Sequence, residues 1–187
     1  MAKIGLNNFR YSKLTESGEG KVTYDGAKTP AKAISCKVDI SNNDASLYAD
    51  DALAESDTSF QKGSVTAGID NEDVQTMADL LGHTVSEDEK ELVRKADDIA
   101  PYVGFGRIVT KMVNGAYKYT VEFLCKVKFS EPSQDDSTKG ESVSFSTTEL
   151  NGVVATLADG TWSKSKTFDT KTEAVTYLEG LMAKAKV

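Results

Sequence analysis

From Ala116 to Phe129 the chain alternates apolar and polar residues with almost no slip: "AYKYTVEFLCKVKF". Tyr117, Tyr119, Val121, Phe123, Cys125, Val127 and Phe129 take every second place. Lys118, Thr120, Glu122, Lys126 and Lys128 lie between them, and Leu124 is the one exception. Period two predicts a half-buried strand. Thirteen residues, Tyr117 to Phe129, extend about 43 Å at ~3.3 Å per residue, against roughly 17–20 Å for an ordinary strand. One small domain has little internal use for that length. Asn114-Gly115 just before it is a strong hairpin signal, because both central positions of the tightest hairpin turn need positive φ. The partner strand is "PYVGFGRIVTKMV", with Val103, Phe105, Val109 and Val113 on one side.

The rest of the pattern predicts a mainly β protein with flanking helices. "KIGLNNFRYSKL" is a first extended segment and "GEGKVTYDGAK" holds a short strand. "AISCKVDIS" puts Ile34, Cys36, Val38 and Ile40 on one face, and "GSVTAGID" does the same with Val65, Ala67 and Ile69. "ASLYADDALAESD" has no decisive period. A helix follows, capped by Asp70 or Asn71, with Glu72 and Asp73 in its first turn, an apolar stripe of Val74, Met77, Ala78 and Leu81, and Gly82 as its stop. "HTVSEDEKELVRKADDIAP" fits a short helix from the Ser86/Glu89 capping-box spacing, and equally a charged loop or edge strand. "SVSFSTTEL" and "GVVATLA" read as two strands joined near Asn151-Gly152. Thr170 and Glu173 form a capping box for a C-terminal helix with Ala174, Tyr177, Leu178 and Leu181 on its apolar face.

Composition sets bounds on these elements. The 187 residues are 39% hydrophobic and 27% charged, which suits one soluble domain. No apolar run is long enough for a membrane span. The N-terminus lacks the basic-then-apolar order of a signal peptide, so a cytoplasmic site of synthesis is expected. There Cys36 and Cys125 are expected to be free, buried thiols. The net charge of −7 is uneven: Ile40 to Ala100 holds 15 Asp and Glu against 4 Lys and Arg. That surplus argues against sequence-specific DNA binding, which relies on cations neutralising phosphates.

Candidate chemistry is sparse. His83 is the one histidine. It follows a helix end, where a cation complements the dipole, and no nucleophile motif accompanies it. Asn43, Asp44, Asp50, Asp51, Glu55 and Asp57 offer oxygen ligands, but their spacing is irregular and lacks the central glycine of a calcium loop. No zinc pattern is present. "GFGRIV" lacks the third glycine and the following helix of a phosphate loop; its glycines fit a bent strand or a close neighbour. No catalytic, cofactor or metal residues are assigned, and a structural or binding protein is expected rather than an enzyme.

The stretches "LYADDALAE", "APYVGFG" and "KVKFSEPSQDDSTKGES", in this order with the strands and the "DVQTMADLLG" helix between them, resemble the major tail protein family of long-tailed, non-contractile bacteriophages and prophages. The resemblance runs from about Ile4 to about Val154. It implies a single 1–187 domain, a β-sandwich or barrel with flanking helices, and leaves 151–187 as a more variable C-terminal extension. It implies a virion protein, assembled in the bacterial host cytoplasm, whose hexameric rings stack into a tail tube. The implied partners are other copies of the chain, a tape-measure protein, a tail terminator and distal tail or baseplate proteins, with double-stranded DNA in transit and no cofactor. On that basis Arg107, Lys111, Lys118, Glu122, Lys126 and Lys128 are candidates for contact between subunits. Asp44, Asp50, Asp51, Glu55 and Asp57 are candidates for their acidic partners or for the lumen. Glu87, Asp88, Glu89, Asp135, Asp136 and Lys139 are candidates for ring stacking. The lysines on the hairpin suit an acidic neighbour better than a DNA-repelling lumen. Three other readings compete: a monomeric small-ligand barrel of the lipocalin type, a hydrolase using scattered carboxylates, and the tube of a phage-tail-like bacteriocin or secretion device.

Overall fold

The computed structural model describes residues 2–17, 21–49, 52–86, 88, 90–134, 138 and 147–183. The chain is mainly β, built on a large antiparallel sheet with a long hairpin, one mid-chain helix and one C-terminal helix. In chain order the main-sheet strands are β1 (Ala2–Glu16), β2 (Val22–Tyr24), β3 (Ala33–Asn42), β6 (Phe60–Ile69), β9 (Val103–Val113), β10 (Ala116–Ser130), β11 (Thr148–Ala155) and β12 (Ser163–Phe168). Two small hairpins, β4 (Ala45–Ala49) with β5 (Ala52–Asp57) and β7 (Thr84–Val85) with β8 (Leu92–Val93), stand apart from it. The helices are α1 (Val74–Leu81) and α2 (Lys171–Leu181).

The sheet runs β2-β1-β9-β10-β11-β6-β3. β10 is long enough to hold two strands on one edge: β12 pairs with Tyr119 to Leu124 and β11 with Lys126 to Ser130. The two faces have separate cores. On the inner face Phe9, Tyr11, Phe105, Leu124, Val127, Phe129, Leu150 and Val154 pack together, closed by Met77, Leu80 and Leu81 of α1. On the other face Ile108, Val121, Phe123 and Cys125 pack under Ala174, Leu178 and Met182 of the α2 region. The sheet curls, so that Ala33, Cys36 and Val38 of β3 add to the inner core beside Phe9 and Tyr11 of β1.

The long alternation of β10 is therefore not one face. A bulge lies between Leu124 and Val127 where β10 pairs with β9. An extra residue there reverses which side points in. Val121, Phe123 and Cys125 face α2, whereas Leu124, Val127 and Phe129 face the inner core. Leu124, the one exception to the alternation, marks the switch. Tyr117, expected to be buried, is 55% exposed near the hairpin tip.

Three further expectations are corrected. The cap of α1 is Asp73, whose side chain accepts from the Thr76 amide, rather than Asp70 or Asn71. Asp70 instead accepts from the Lys32 amide and ties β3 to β6. Asn151-Gly152 is not a turn: both residues pair on two sides within β11, with β10 and with β6. A Cβ on Gly152 would lie 2.8 Å from Val127, so glycine here serves packing rather than positive φ. On β3 a register shift between Ala33 and Ser35 takes Ile34 out of phase, leaving it 49% exposed. The α2 cap is as expected, with Thr170 Oγ accepting from the Glu173 amide. Residues from Asn151 to Met182 supply a central strand, β12 and the cover of the second core.

Candidate assembly surface

The β9–β10 hairpin closes through Asn114 (φ 50°) and Gly115 (φ 80°), the left-handed pair that the turn requires. Its ladder places Lys111 opposite Lys118, Val109 opposite Thr120, Arg107 opposite Glu122 and Phe105 opposite Leu124. On the other side of β9, Lys3 of β1 stands opposite Lys111. Opposed residues share a face, so Lys3, Lys111 and Lys118 form a row across three adjacent strands. Lys118 is paired with Asp169, just before α2. Among the described residues Lys3 and Lys111 have no carboxylate partner.

Arg107 lies two same-face positions behind this row, beyond Val109 and Thr120, and is half-buried. Its Nη1 is buried without a hydrogen-bond partner, and it makes no ion pair with Glu122 opposite. Burial pushes the Cys36 thiol up, while Arg107 and Lys3 pull it back down. Both cations thus sit near β3, under the curl of the sheet. Cys36 and Cys125 are free thiols; Cys125 is buried and Cys36 only half-buried.

Lys126 and Lys128 point the other way, because they follow the bulge. Lys126 Nζ is 2.5 Å from Glu16 and 4.6 Å from the centre of the Tyr102 ring. Lys128 lies 5.5 Å from the same ring. The six hairpin candidates thus divide between two faces, and Lys118 and Lys126 are already paired within their own chain.

The acidic candidates lie on an arm. β3 and β6 pair as a hairpin, and the Asn43 amide donates to Ser59 carbonyl (2.8 Å) where they give way to β4 and β5. Among the described residues these two strands pair only with each other. The arm therefore prolongs the β3–β6 hairpin as far as Ala49 and Ala52, with Asp50 and Asp51 outside the described residues. From Val38 to Gln61 there are six carboxylates and no Lys or Arg. Asp44, Glu55 and Asp57 are exposed. Asp57 accepts from the Ser59 amide and from Asn43, and these bonds hold its carboxyl below the usual range. At the arm's base Phe60 stacks on Trp162, ring centroids 4.9 Å apart. β6 runs parallel to β10, both being antiparallel to β11. The closed ends of the two hairpins therefore project from the same end of the sheet.

Of the stacking candidates, Glu87, Glu89, Asp135, Asp136 and Lys139 lie outside the described residues. Asp88 is exposed beside the β7–β8 hairpin and accepts from Ser86 Oγ (2.5 Å), a bond that lowers its carboxyl.

One cluster had no signal in the sequence. His83 Nδ1 is 2.7 Å from Asp98 and Nε2 is 2.8 Å from Glu131, which also accepts from Arg94 (2.7 Å). The imidazole side chain is 8% exposed. Burial alone lowers its pKa, but two carboxylates outweigh burial and raise it above the ordinary value. The partners are 15 and 48 residues away along the chain, so no local spacing reveals them. The cluster ties the segment after α1 to the end of β10.

The chain matches no family model and no curated protein. Among the described residues no helix is long and apolar enough to cross a membrane.

Proposed function

We propose that this chain is the subunit of a phage-type tail tube, a virion protein that closes into rings with copies of itself and stacks them into a conduit for DNA. The observation that carries the reading is the pair of hairpins leaving one end of a single sheet. One of them, from Ala33 to Ile69, continues beyond its β3–β6 ladder as an arm that pairs with no other described strand. An isolated two-stranded ribbon is marginal in water, and an arm of that kind gains its stability from a neighbour. Open strand edges point the same way. Among the described residues the outer edges of β3 and β12 carry no ladder, and ring closure would remove them.

The interior filling favours this over the ligand-barrel reading. Phe9, Phe105, Phe129 and Leu150 occupy the inner face of the sheet, where a lipocalin-type barrel would hold its ligand. In the tube reading, assembly needs no catalytic group. Tape-measure, terminator and distal tail proteins are its proposed partners, and DNA passes through without specific contact.

Negative-stain electron microscopy of the purified chain over a concentration series, beside sedimentation velocity, tests the proposal. Rings or hollow tubes are expected. A protein that stays monomeric at the highest attainable concentration, and yields no cross-linked ring, overturns it.

A further inference from the structure

We propose that the lysine row of Lys3, Lys111 and Lys118 is the socket for the acidic β4–β5 arm of a second copy lying beside the first. The inference rests on the tube reading and assigns it a specific contact.

Two observations bear on the socket. Like charges directly opposite on neighbouring strands destabilise a sheet, yet Lys3, Lys111 and Lys118 stand in one row and Asp169 neutralises only Lys118. A guanidinium cannot shed its charge, yet Arg107 buries Nη1 with no acceptor. A buried charged donor without a partner is costly. The lysine row asks for carboxylates from outside the described residues, whereas the covered Nη1 of Arg107 is closed to a second copy.

The arm has the complementary chemistry. Asp44, Asp50, Asp51, Glu55 and Asp57 stand in a stretch, Val38 to Gln61, that holds no Lys or Arg. Glu55 and Asp57, two apart on β5, share a face about 7 Å apart, while neighbouring lysines of the row are about 5 Å apart across strands. One edge of the arm can therefore set successive carboxylates against the row. Arm and socket also lie at the same end of the sheet. A contact between features at one level relates two copies by rotation with no shift along the axis. Such a head-to-tail contact closes into a ring rather than running on as a filament. The arm–socket pair is thus the lateral contact of a ring, and stacking uses other surfaces.

The test is zero-length carbodiimide cross-linking of an equal mixture of ¹⁴N- and ¹⁵N-labelled chains, read by mass spectrometry. Lys3 or Lys111 joined to an acidic residue between Asp44 and Asp57, in a mixed-isotope peptide pair, is the expected product. The same products in single-isotope pairs alone would mean an arm folded onto its own chain, and would overturn the proposal. Lys111→Glu and Glu55→Lys should each weaken self-association roughly tenfold, and the double reversal should recover most of it. Wild-type association should fall as salt rises. Tubes that form equally in the wild type and both single variants, with no mixed-isotope product, sink the socket and leave the tube reading standing. Mixed-isotope products in small oligomers without tubes uphold the socket against the tube reading. No association and no such product under any condition ends both. Duplex DNA is the rival occupant: if Lys111→Glu abolishes DNA binding and leaves self-association unchanged, the row serves DNA and the proposal fails.

Discussion

Trp162 lies flat on Phe60, with ring centroids 4.9 Å apart and planes within 8°. Phe60 is the first residue of β6, where the arm rejoins the sheet, and Trp162 comes just before β12. The stack fixes the root of the arm to the strand beside β10. Trp162→Ala should cost about 2 kcal/mol, less than a fully buried aromatic because both rings are half-buried. It should also raise the rate of proteolytic cleavage between Asn43 and Ser59 without changing cleavage elsewhere. Trp162 is the only tryptophan, so its emission reads the stack directly. A red shift in Phe60→Ala is expected, and an unchanged spectrum would show that the two rings do not hold each other.

His83 gives the chain a pH dependence of stability. Both ring nitrogens face carboxylates, Asp98 and Glu131, with Arg94 on the far side of Glu131. The imidazolium donates to both, and its folded pKa is raised. The stabilisation is therefore fully present below the unfolded value of about 6.5 and is lost as pH rises through the folded value. The melting temperature of the wild type should exceed that of His83→Gln at pH 6, and the gap should close as the medium becomes alkaline. Because the chain has one histidine, its ring proton resonances report this titration without overlap. A folded pKa at or below the ordinary value would remove the explanation.

Local rules decide some elements of this fold, and distant residues decide the others. The Asn114-Gly115 hairpin and the Thr170 cap depend on neighbours within four residues, and both are present as read. The same Asn-Gly pair at 151–152 lies inside a strand, since β6 and β10 flank it on both sides and no local pattern records them. Alternation reveals β10, but a bulge conserves the look of alternation while reversing the face, so the sequence pattern sets Lys118 and Lys126 on one side and the structure sets them on two. The segment "NEDV" offers several capping residues in a row, and tertiary packing chose Asp73. The arm was illegible because alanines and carboxylates dilute its period. The tie at His83 joins elements far apart in the chain, and charge counting could not place it.

Asp79 is a buried charge with an assigned job. It is 5% exposed and accepts from Tyr11 Oη (3.0 Å) and Lys28, with Lys13 Nζ at 3.3 Å. Burial alone raises its pKa, but the bonds from Lys28 and Tyr11 and the charge of Lys13 hold it below the usual range. Burial and the neighbouring carboxylate push the Tyr11 phenol up. This knot joins α1 to β1. Asp79→Ala strands the Tyr11 hydroxyl, and a loss of about 2–3 kcal/mol is expected from chemical denaturation. With a depressed folded pKa, the contribution is present above the unfolded value near 4 and lost as pH falls through the folded one. Wild type and Asp79→Asn should therefore converge in stability in strong acid. A constant difference down to pH 2 would assign the residue's effect to packing instead.

Gly106 is the seat of α2. A Cβ there would lie 2.4 Å from Leu178 Cδ1 and 3.3 Å from Met182 Cε, so the helix sits directly on the glycine of β9. The neighbouring strand positions leave no room to shift, because Gly106 pairs with Arg10 on one side and Phe123 on the other. Gly106→Ala should overpack this contact and cost about 1–3 kcal/mol. Leu178→Ala should cost about 2–5 kcal/mol by opening a cavity at the same place. The two substitutions supply and remove volume at one point, so they should couple: the double variant should be more stable than the sum of the single losses predicts, by at least about 0.5 kcal/mol. Strict additivity in a double-mutant cycle would mean that α2 relaxes away from the sheet in each single variant. Coupling of the expected sign means that the helix docks on β9 through this one glycine.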